Sequence, residues 1–495
     1  MDNYCNEKGN SSSSNDDKVF EKKIVINPVT RIEGHAQIDI LLNQDNTVRE
    51  AKFKVTDFRG FEKFTEGRPY YEMPAITSRS CGICPVSHIL AAAKVCDGIV
   101  GVKPPRTAVM LRRLMHMGQL IQSHALNFFH LSSPDLLFGF DSDPAKRNVF
   151  GLIDAYPDLA VQGVKLRRFG QEIVEKVAGR RVHSSEWVQP GGVRWPLTRD
   201  RADYLQGELP KALEIAKNTL AMFKQMLNSF DDEVENFGNF SSYYMGLVNS
   251  EGGLEHYDGK LCIIDKDGNV AAECIDPLKY QEYIGEAVEP YTFMKFPYFK
   301  KAGYPEGAYR VGPLARLNVA SHCGTPLADE ELVEFKKLGK NGGVVESTFH
   351  YHYARLIETL FCIETVKKLL EDPEILSEHV VSRAMVNNYE GVGIAEAPRG
   401  TLIHHYKVDN QGRITWNNMV IATEHNNIAY NKAITQVAKK YVKTQQLQEG
   451  MLNRVEAVIR AFDPCLSCAT HAVGQMALVI KLFDNNETLL DRQVR

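Results

Sequence analysis

The chain is 495 residues long, 44% hydrophobic and 24% charged, with a formal net charge of -4. This is an ordinary soluble composition with ample chain for a large core, and it gives no reason to look for nucleic acid or an anionic membrane surface as a partner. No uninterrupted apolar run approaches the roughly 18 residues of a membrane span, and the first residues lack the charged-then-apolar order of a signal peptide, so a cytoplasmic place is expected.

Residues 1–20, with Ser11 to Ser14 and several Asn and Asp, offer almost nothing to bury and are expected to be a disordered tail. From Lys23 the pattern changes. Ile24 and Ile26, then Ile38, Ile40 and Leu42, alternate with polar residues, Asn43 to Asn46 turn, and Val48 to Val55 return, which predicts a small N-terminal antiparallel sheet. Between its first strands runs the polar connection Thr30-Arg31-Ile32-Glu33-Gly34-His35. Apolar residues at helical spacing predict helices over Pro105–Leu131, with a proline suited to a first turn, and over Pro210–Leu227, Val345–Leu370 and Ile428–Phe462, the last breaking at Asp463-Pro464. Val248–Ala271 reads as a hairpin inserted between helices, with Asp265-Lys266-Asp267-Gly268 as its turn. There are no internal repeats and no clear linker. The fold class is therefore mainly α with small β-sheets (α+β), a long-helix bundle forming one large domain over 21–471, followed by an extension, 472–495.

Two stretches carry the chemistry: Arg79-Ser80-Cys81-Gly82-Ile83-Cys84-Pro85-Val86-Ser87-His88 and Asp463-Pro464-Cys465-Leu466-Ser467-Cys468-Ala469-Thr470-His471. Each holds a Cys-x-x-Cys pair with a His within four residues. Ten cysteines are too sparse for a disulfide scaffold in so long a chain, and in a reducing compartment paired cysteines read as metal or redox sites. A four-cysteine structural zinc site fits the ligand set, although zinc modules usually keep their pairs about 15 to 20 residues apart. A thioredoxin-type pair fits less well, because neither pair opens a helix in a βαβ unit. Pro85 and Ala469 exclude haem attachment, which needs His directly after the second Cys. A transition-metal centre held between the two ends of a folded core is the third reading, since thiolates are the ligands that soft metals prefer.

Five motifs in order bring in a resemblance. Arg31-Ile32-Glu33-Gly34-His35, Arg79-x-Cys81-Gly82-x-Cys84-x-x-x-His88, Gly312-Pro313-Leu314-Ala315-Arg316, Glu396-Ala397-Pro398-Arg399-Gly400 and Asp463-Pro464-Cys465-x-x-Cys468-x-x-His471 resemble the large, catalytic subunit of nickel-iron hydrogenases, over nearly the whole chain from Lys23 to His471. The resemblance implies that Cys81 and Cys465 are terminal nickel ligands, and that Cys84 and Cys468 bridge to an iron carrying carbon monoxide and cyanide. It implies that Arg399 overhangs the metals and donates to one cyanide, with Thr423, after Ala422, serving the other. Glu33 would accept protons from Cys465. His88, spaced like a ligand, would instead donate a hydrogen bond to a thiolate, and Asp463 would stand beside the same metals. A magnesium site would take Glu62, His471 and the backbone carbonyl near Met419. Ser123 departs from the periplasmic, membrane-bound branch, which has an acidic residue there.

Gly246-Leu247-Val248, the Gly259-containing hairpin and the Cys465–His471 stretch look most like the cytosolic NAD(P)-coupled bidirectional subgroup. The sequence has no Gly-x-Gly-x-x-Gly after a strand and no P-loop. Beyond the two pairs, its cysteines are scattered. Diaphorase-type NAD(P)/flavin subunits, with an iron-sulfur small subunit, are therefore implied as partners, together with a maturation endopeptidase that removes 472–495 after His471. The competing expectation is a non-catalytic respiratory-complex-like subunit, or a structural zinc scaffold, on the same frame.

Overall fold

The computed structural model describes residues 22–339, 343–470, 479–483 and 489–494. The expected tail at 1–20 and His471 lie outside the described residues. Strands β1 (Lys23–Ile26), β2 (Ala36–Leu42) and β3 (Val48–Val55) form the antiparallel sheet expected from their alternation, in the order β1-β2-β3. Ala51, Phe53 and Val55, every second residue of β3, are buried, as the period of a strand requires.

Among the described residues, the long helices are α1 (Pro85–Val100), α2 (Arg106–Leu126), α3 (Pro157–Ala178), α4 (Arg199–Leu227), α5 (Tyr351–Glu371), α6 (Asn427–Tyr441) and α7 (Glu449–Phe462). Helix α2 runs on through a π-helical stretch, Asn127–Ser132, into the short helix Ser133–Phe138. Cys84 caps the start of α1 with Pro85 in its first turn, and Gly101 closes it in the left-handed region, the usual pairing of N-terminal Pro and C-terminal Gly. This helix escapes the periodicity argument because its run from Pro85 to Ala93 is buried on all sides, leaving no polar face to alternate with.

Three predicted boundaries shift. The helix expected from Val345 starts with a 3-10 turn at Thr348–His350 and becomes α5 only at Tyr351. Helix α4 begins eleven residues before Pro210, which sits inside it; Ala202, Leu205 and Leu209 extend the buried stripe backwards, enough to tolerate one missing N–H. The segment predicted as one helix over Ile428–Phe462 is two, because 442–448 is mainly polar between Lys439 and Lys440 in the last turn of α6 and Glu449 in the first turn of α7, charges that suit helix ends.

Edge strands Tyr309–Arg310 and Val270–Ile275 flank Tyr243–Val248 and Lys260–Ile264 in a four-stranded sheet, so the expected hairpin belongs to something larger. A further three-stranded sheet, Glu390–Ala397, Gly400–Val408 and Ile414–Val420, is antiparallel throughout and lies on α1. Gly393 makes that approach possible, since a Cβ there would sit 2.1 Å from the Ala91 carbonyl. Past the second cysteine pair, Val479–Phe483 and Leu489–Val494 pair as an antiparallel hairpin. No helix among the described residues is long and apolar enough to cross a membrane.

Candidate metal centre

Cys81 lies in the turn after the helix Met73–Ser78, and Cys84 at the N-terminus of α1. Helix α7 ends at Asp463, whose backbone is left-handed at φ 62°. Pro464 cannot continue the helix, and the chain turns to present Cys465 and Cys468. All four thiols are buried, and their sulfurs lie within 4.8 Å of one another. Cys84 Sγ is 2.9 Å from Cys81 Sγ, Cys81 is 3.2 Å from Cys465, and Cys468 is 3.3 Å from both Cys84 and Cys465. Such a set fits a soft or borderline metal, whose bonds to sulfur are about 2.3 Å long for zinc. Burial opposes a thiolate at Cys81, but hydrogen bonds from the other thiols and from the Cys84 N–H hold it well below the usual thiol range, while Cys84, Cys465 and Cys468 are pushed up as the remaining members of a crowded set.

Arg399 comes in at the two-residue turn Pro398-Arg399 between Ala397 and Gly400. Its Nη1 donates to Ser123 Oγ at 3.1 Å and its Nη2 to Asp463 Oδ1 at 3.0 Å. Burial works against its charge, yet Asp463 and the cysteines more than restore it; conversely burial raises the Asp463 carboxyl despite Arg399 and Arg355. The turn is held from behind by Arg316 of the glycine-proline motif. It donates to the Ala397 and Pro398 carbonyls, pairs with Glu358 at 2.6 and 2.7 Å, and reaches Glu396 at 2.9 Å.

Glu33 meets the second pair directly. Its main chain bridges Cys465 in parallel, its carbonyl accepts the Leu466 N–H at 3.1 Å, and its Oε2 accepts the Ser467 N–H at 3.0 Å. Gly34, at φ +84°, has Leu466 so close that a Cβ would meet the Leu466 Cβ at 2.7 Å. Thr423 Oγ1 accepts the Cys465 N–H at 3.0 Å, with Ala422 buried beside it. His88 Nδ1 lies 3.2 Å from His404 Nε2, and His404 in turn meets the Tyr406 hydroxyl.

The expected magnesium ligands are placed separately. Glu62 is buried, and its Oε1 lies 3.9 Å from Lys295 Nζ; the Met419 carbonyl is 3.4 Å from the same nitrogen. Lys295 also pairs with Glu286 at 2.9 Å and feels Glu424, and these carboxylates keep it charged against burial. Two hard oxygen donors thus converge where three carboxylates outnumber one ammonium, which suits a divalent cation that favours oxygen. Lys295 was not legible as part of this group, because nothing in its local sequence marks it. Arg355 was missed too: it is buried, gives its Nη2 to the Ala461 carbonyl at 2.8 Å, and is lowered to about 10 by burial and the nearby Arg399, Asp463 acting the other way.

The sequence profile of nickel-dependent hydrogenases matches residues 59–141 and 217–471, and a HoxL-like profile matches 23–58. The chain belongs to the nickel-dependent hydrogenase family, as one of its large subunits. Among its relatives, it is 43% identical to the beta chain of the NAD-reducing hydrogenase HoxS of Cupriavidus necator, over 96% of this chain and 100% of the relative. It is 42% identical to a chain of the F420-non-reducing hydrogenase vhc of Methanococcus voltae, over 93% and 97%. Of solved structures, an NAD+-reducing [NiFe]-hydrogenase in the H2-reduced state superposes with a TM-score of 0.88 at 44% identity, covering 91% of this chain and 99% of that one.

Proposed function

We propose that this chain is the active-site subunit of a cytoplasmic hydrogenase that reversibly splits hydrogen into protons and electrons, with NAD(P) as the final acceptor. The observation that carries the reading is the buried set of four thiols, drawn from both ends of the chain, with a charged arginine and a carboxylate on either side. A structural zinc site would need neither. Cys81, Cys84, Cys465 and Cys468 would hold a nickel-iron pair with carbon monoxide and cyanide on the iron. When bound, that centre supplies the Lewis acidity and redox capacity that cleavage of so weak an acid as dihydrogen needs.

The chain's own residues do the rest. A cysteine sulfur takes the proton, and Glu33 accepts it from Cys465 and passes it outwards. Arg399 holds a positive, planar fork of donors over the site, suited to a cyanide nitrogen. Thr423 uses a lone pair on the Cys465 N–H, so its hydroxyl proton is left for the second cyanide, beside Ala422. Asp463 and Ser123 fix the arginine's orientation, and His88 supports the thiolates from α1. Glu62, the Met419 carbonyl and His471 would bind magnesium.

Electrons leave through an iron-sulfur partner and then through flavin-bearing diaphorase-type subunits, because this chain has neither cluster cysteines to spare nor a nucleotide fingerprint. The relative from Methanococcus voltae is named without NAD, as an F420-non-reducing hydrogenase, which makes the acceptor the point to test: the intact complex under hydrogen should reduce NAD(P)+, and reduction of ferredoxin alone would overturn that part. An endopeptidase is proposed to remove 472–495, so that active enzyme ends at His471 by intact mass. Equal nickel and iron on analysis of this chain separated from its iron-sulfur partners supports the metal-centre reading, and zinc alone refutes it. Cys468→Ser should abolish turnover, since an alkoxide is a harder ligand than a bridging thiolate.

A further inference from the structure

The loop that carries Glu33 has no regular secondary structure of its own, and Arg31 within it takes a left-handed backbone at φ 55°, a conformation most residues avoid. Something outside the loop must hold it. Asp135, in the short helix after α2, is buried and accepts from both sides of the metal-bearing turn. Its Oδ1 takes Arg31 Nη2 at 2.5 Å and Asn453 Nδ2 at 3.0 Å; its Oδ2 takes Arg460 Nη1 at 2.8 Å. Arg31 Nη1 also reaches the Leu131 carbonyl at 2.9 Å.

From the other side, Arg460 grips the same loop, donating to the Thr30 carbonyl and to Thr30 Oγ1, each at 3.0 Å, while Glu456 accepts the Thr30 N–H at 2.6 Å. Arg31 is two residues from Glu33, and Arg460 is five residues from Cys465. One carboxylate therefore joins the segment bearing the proton acceptor to the segment bearing the ligand it serves. Arg31 and Arg460 packed together would repel, and Arg147 Nε stands 3.4 Å from Asp135 Oδ1 as a third cation; Asp135 turns that repulsion into a clasp, and charge-assisted, multiply bonded contacts of this kind have narrow geometry.

We propose that Asp135 is a positioning residue for proton transfer, setting the register of Glu33 against Cys465 through Arg31 and Arg460. The inference rests on the reading of Glu33 as the proton acceptor. Its consequence is specific: loosening the clasp should slow the proton step without emptying the metal site. A misplacement of about 1 Å at a reacting pair costs on the order of a hundredfold, so a partial loosening should cost about tenfold or more.

The test uses the full complex. Asp135→Asn keeps the shape and removes the charge. Nickel per chain and the infrared bands of the diatomic ligands should match wild type. Per nickel, kcat should fall by about tenfold or more with an unchanged KM for hydrogen and a raised solvent isotope effect. Deuterium uptake by the peptide over 464–470, whose Leu466 and Ser467 amides bond Glu33, should quicken. Glu33→Gln should show the same kinetic loss, and the double variant no more than Glu33→Gln alone. If Glu33→Gln is impaired while Asp135→Asn keeps wild-type kcat per nickel and wild-type uptake, positioning is overturned and the proton-acceptor reading survives. Full turnover in Glu33→Gln removes that reading and this inference with it. If Asp135→Asn does not fold, Arg31→Lys, which keeps charge but loses the fork, is judged by the same measurements and the same outcomes.

Discussion

Replacing Gly34 by Ala tests whether the two ends of the chain are held as closely as the structure describes. At φ +84° any L side chain carries a steric penalty of about 1–2 kcal/mol. A Cβ there would also lie 2.7 Å from the Leu466 Cβ and 3.2 Å from the Ser467 nitrogen, and relieving such an overlap costs about 1–3 kcal/mol. The sum is about 2–5 kcal/mol, and the shift that relieves it pulls Glu33 away from the Leu466 and Ser467 amides. The expected result is a lower denaturant midpoint, together with reduced nickel retention on dialysis against chelator. Gly34→Ser should behave alike, since the hydroxyl repairs neither defect. Wild-type midpoint and nickel content in Gly34→Ala would refute the close approach of the two segments.

Arg399→Lys keeps a charge but cannot serve Ser123 and Asp463 with one planar fork; metal content should be retained while turnover falls by about a hundredfold or more, and an unchanged rate would return Arg399 to a structural role. Arg316→Met leaves Glu358 and Glu396 buried without their cation, a loss of about 3–5 kcal/mol visible as a lower denaturant midpoint or as insoluble chain. Acid should destabilise the protein above the carboxylate range. Burial lowers His116, His352 and His425 to about 3 and His124 and His350 to about 4; charged or polar neighbours are Arg316 and His256 at His116, Arg355 at His352, Lys295 and Tyr309 at His425, and Glu358 at His124. With folded values depressed below about 6.5, stability is full above that pH and is lost as pH falls through it. At pH 5.5 each histidine costs on the order of 1 kcal/mol; equal denaturant midpoints at pH 7.5 and 5.5 would contradict this.

What could be read from the sequence follows what is local. The cysteine pairs stand out because their chemistry is unusual, and β2 and β3 because their apolar residues alternate with polar ones. Helix α1 is hidden for the opposite reason: residues such as Ile89, Leu90 and Ala91 are fully enclosed, so no period marks them. The sheet that carries Arg399 and Met419 is hidden similarly, its strands reading as glycine-rich turn material at Gly391 and Gly393. The pairing of Glu33 with Cys465 is beyond any local pattern, because the two residues are brought together only by the fold. Resemblance supplied that pairing; it did not supply Asp135, Arg460, Lys295 or Arg355, whose side chains act on the site from a layer behind it.

That layer has a common form. Arg316 with Glu358 and Glu396 lies behind the Pro398-Arg399 turn, and Asp135 with Arg31 and Arg460 lies behind the Glu33 loop. Buried ion pairs are weak stabilisers, because desolvation offsets most of their attraction, so stability alone does not account for two of them. Their geometry does. Arg316 and Arg460 anchor to rigid helices, α5 and α7, and direct their remaining donors to carbonyls of an irregular turn or loop. A turn two residues long, or a loop with a left-handed arginine, has no hydrogen-bonded ladder of its own to set a side chain within tenths of an ångström. Importing directionality from a helix through a planar, multiply bonded cation does so, and it explains why both clusters use Arg where Lys would give the same charge without the fork.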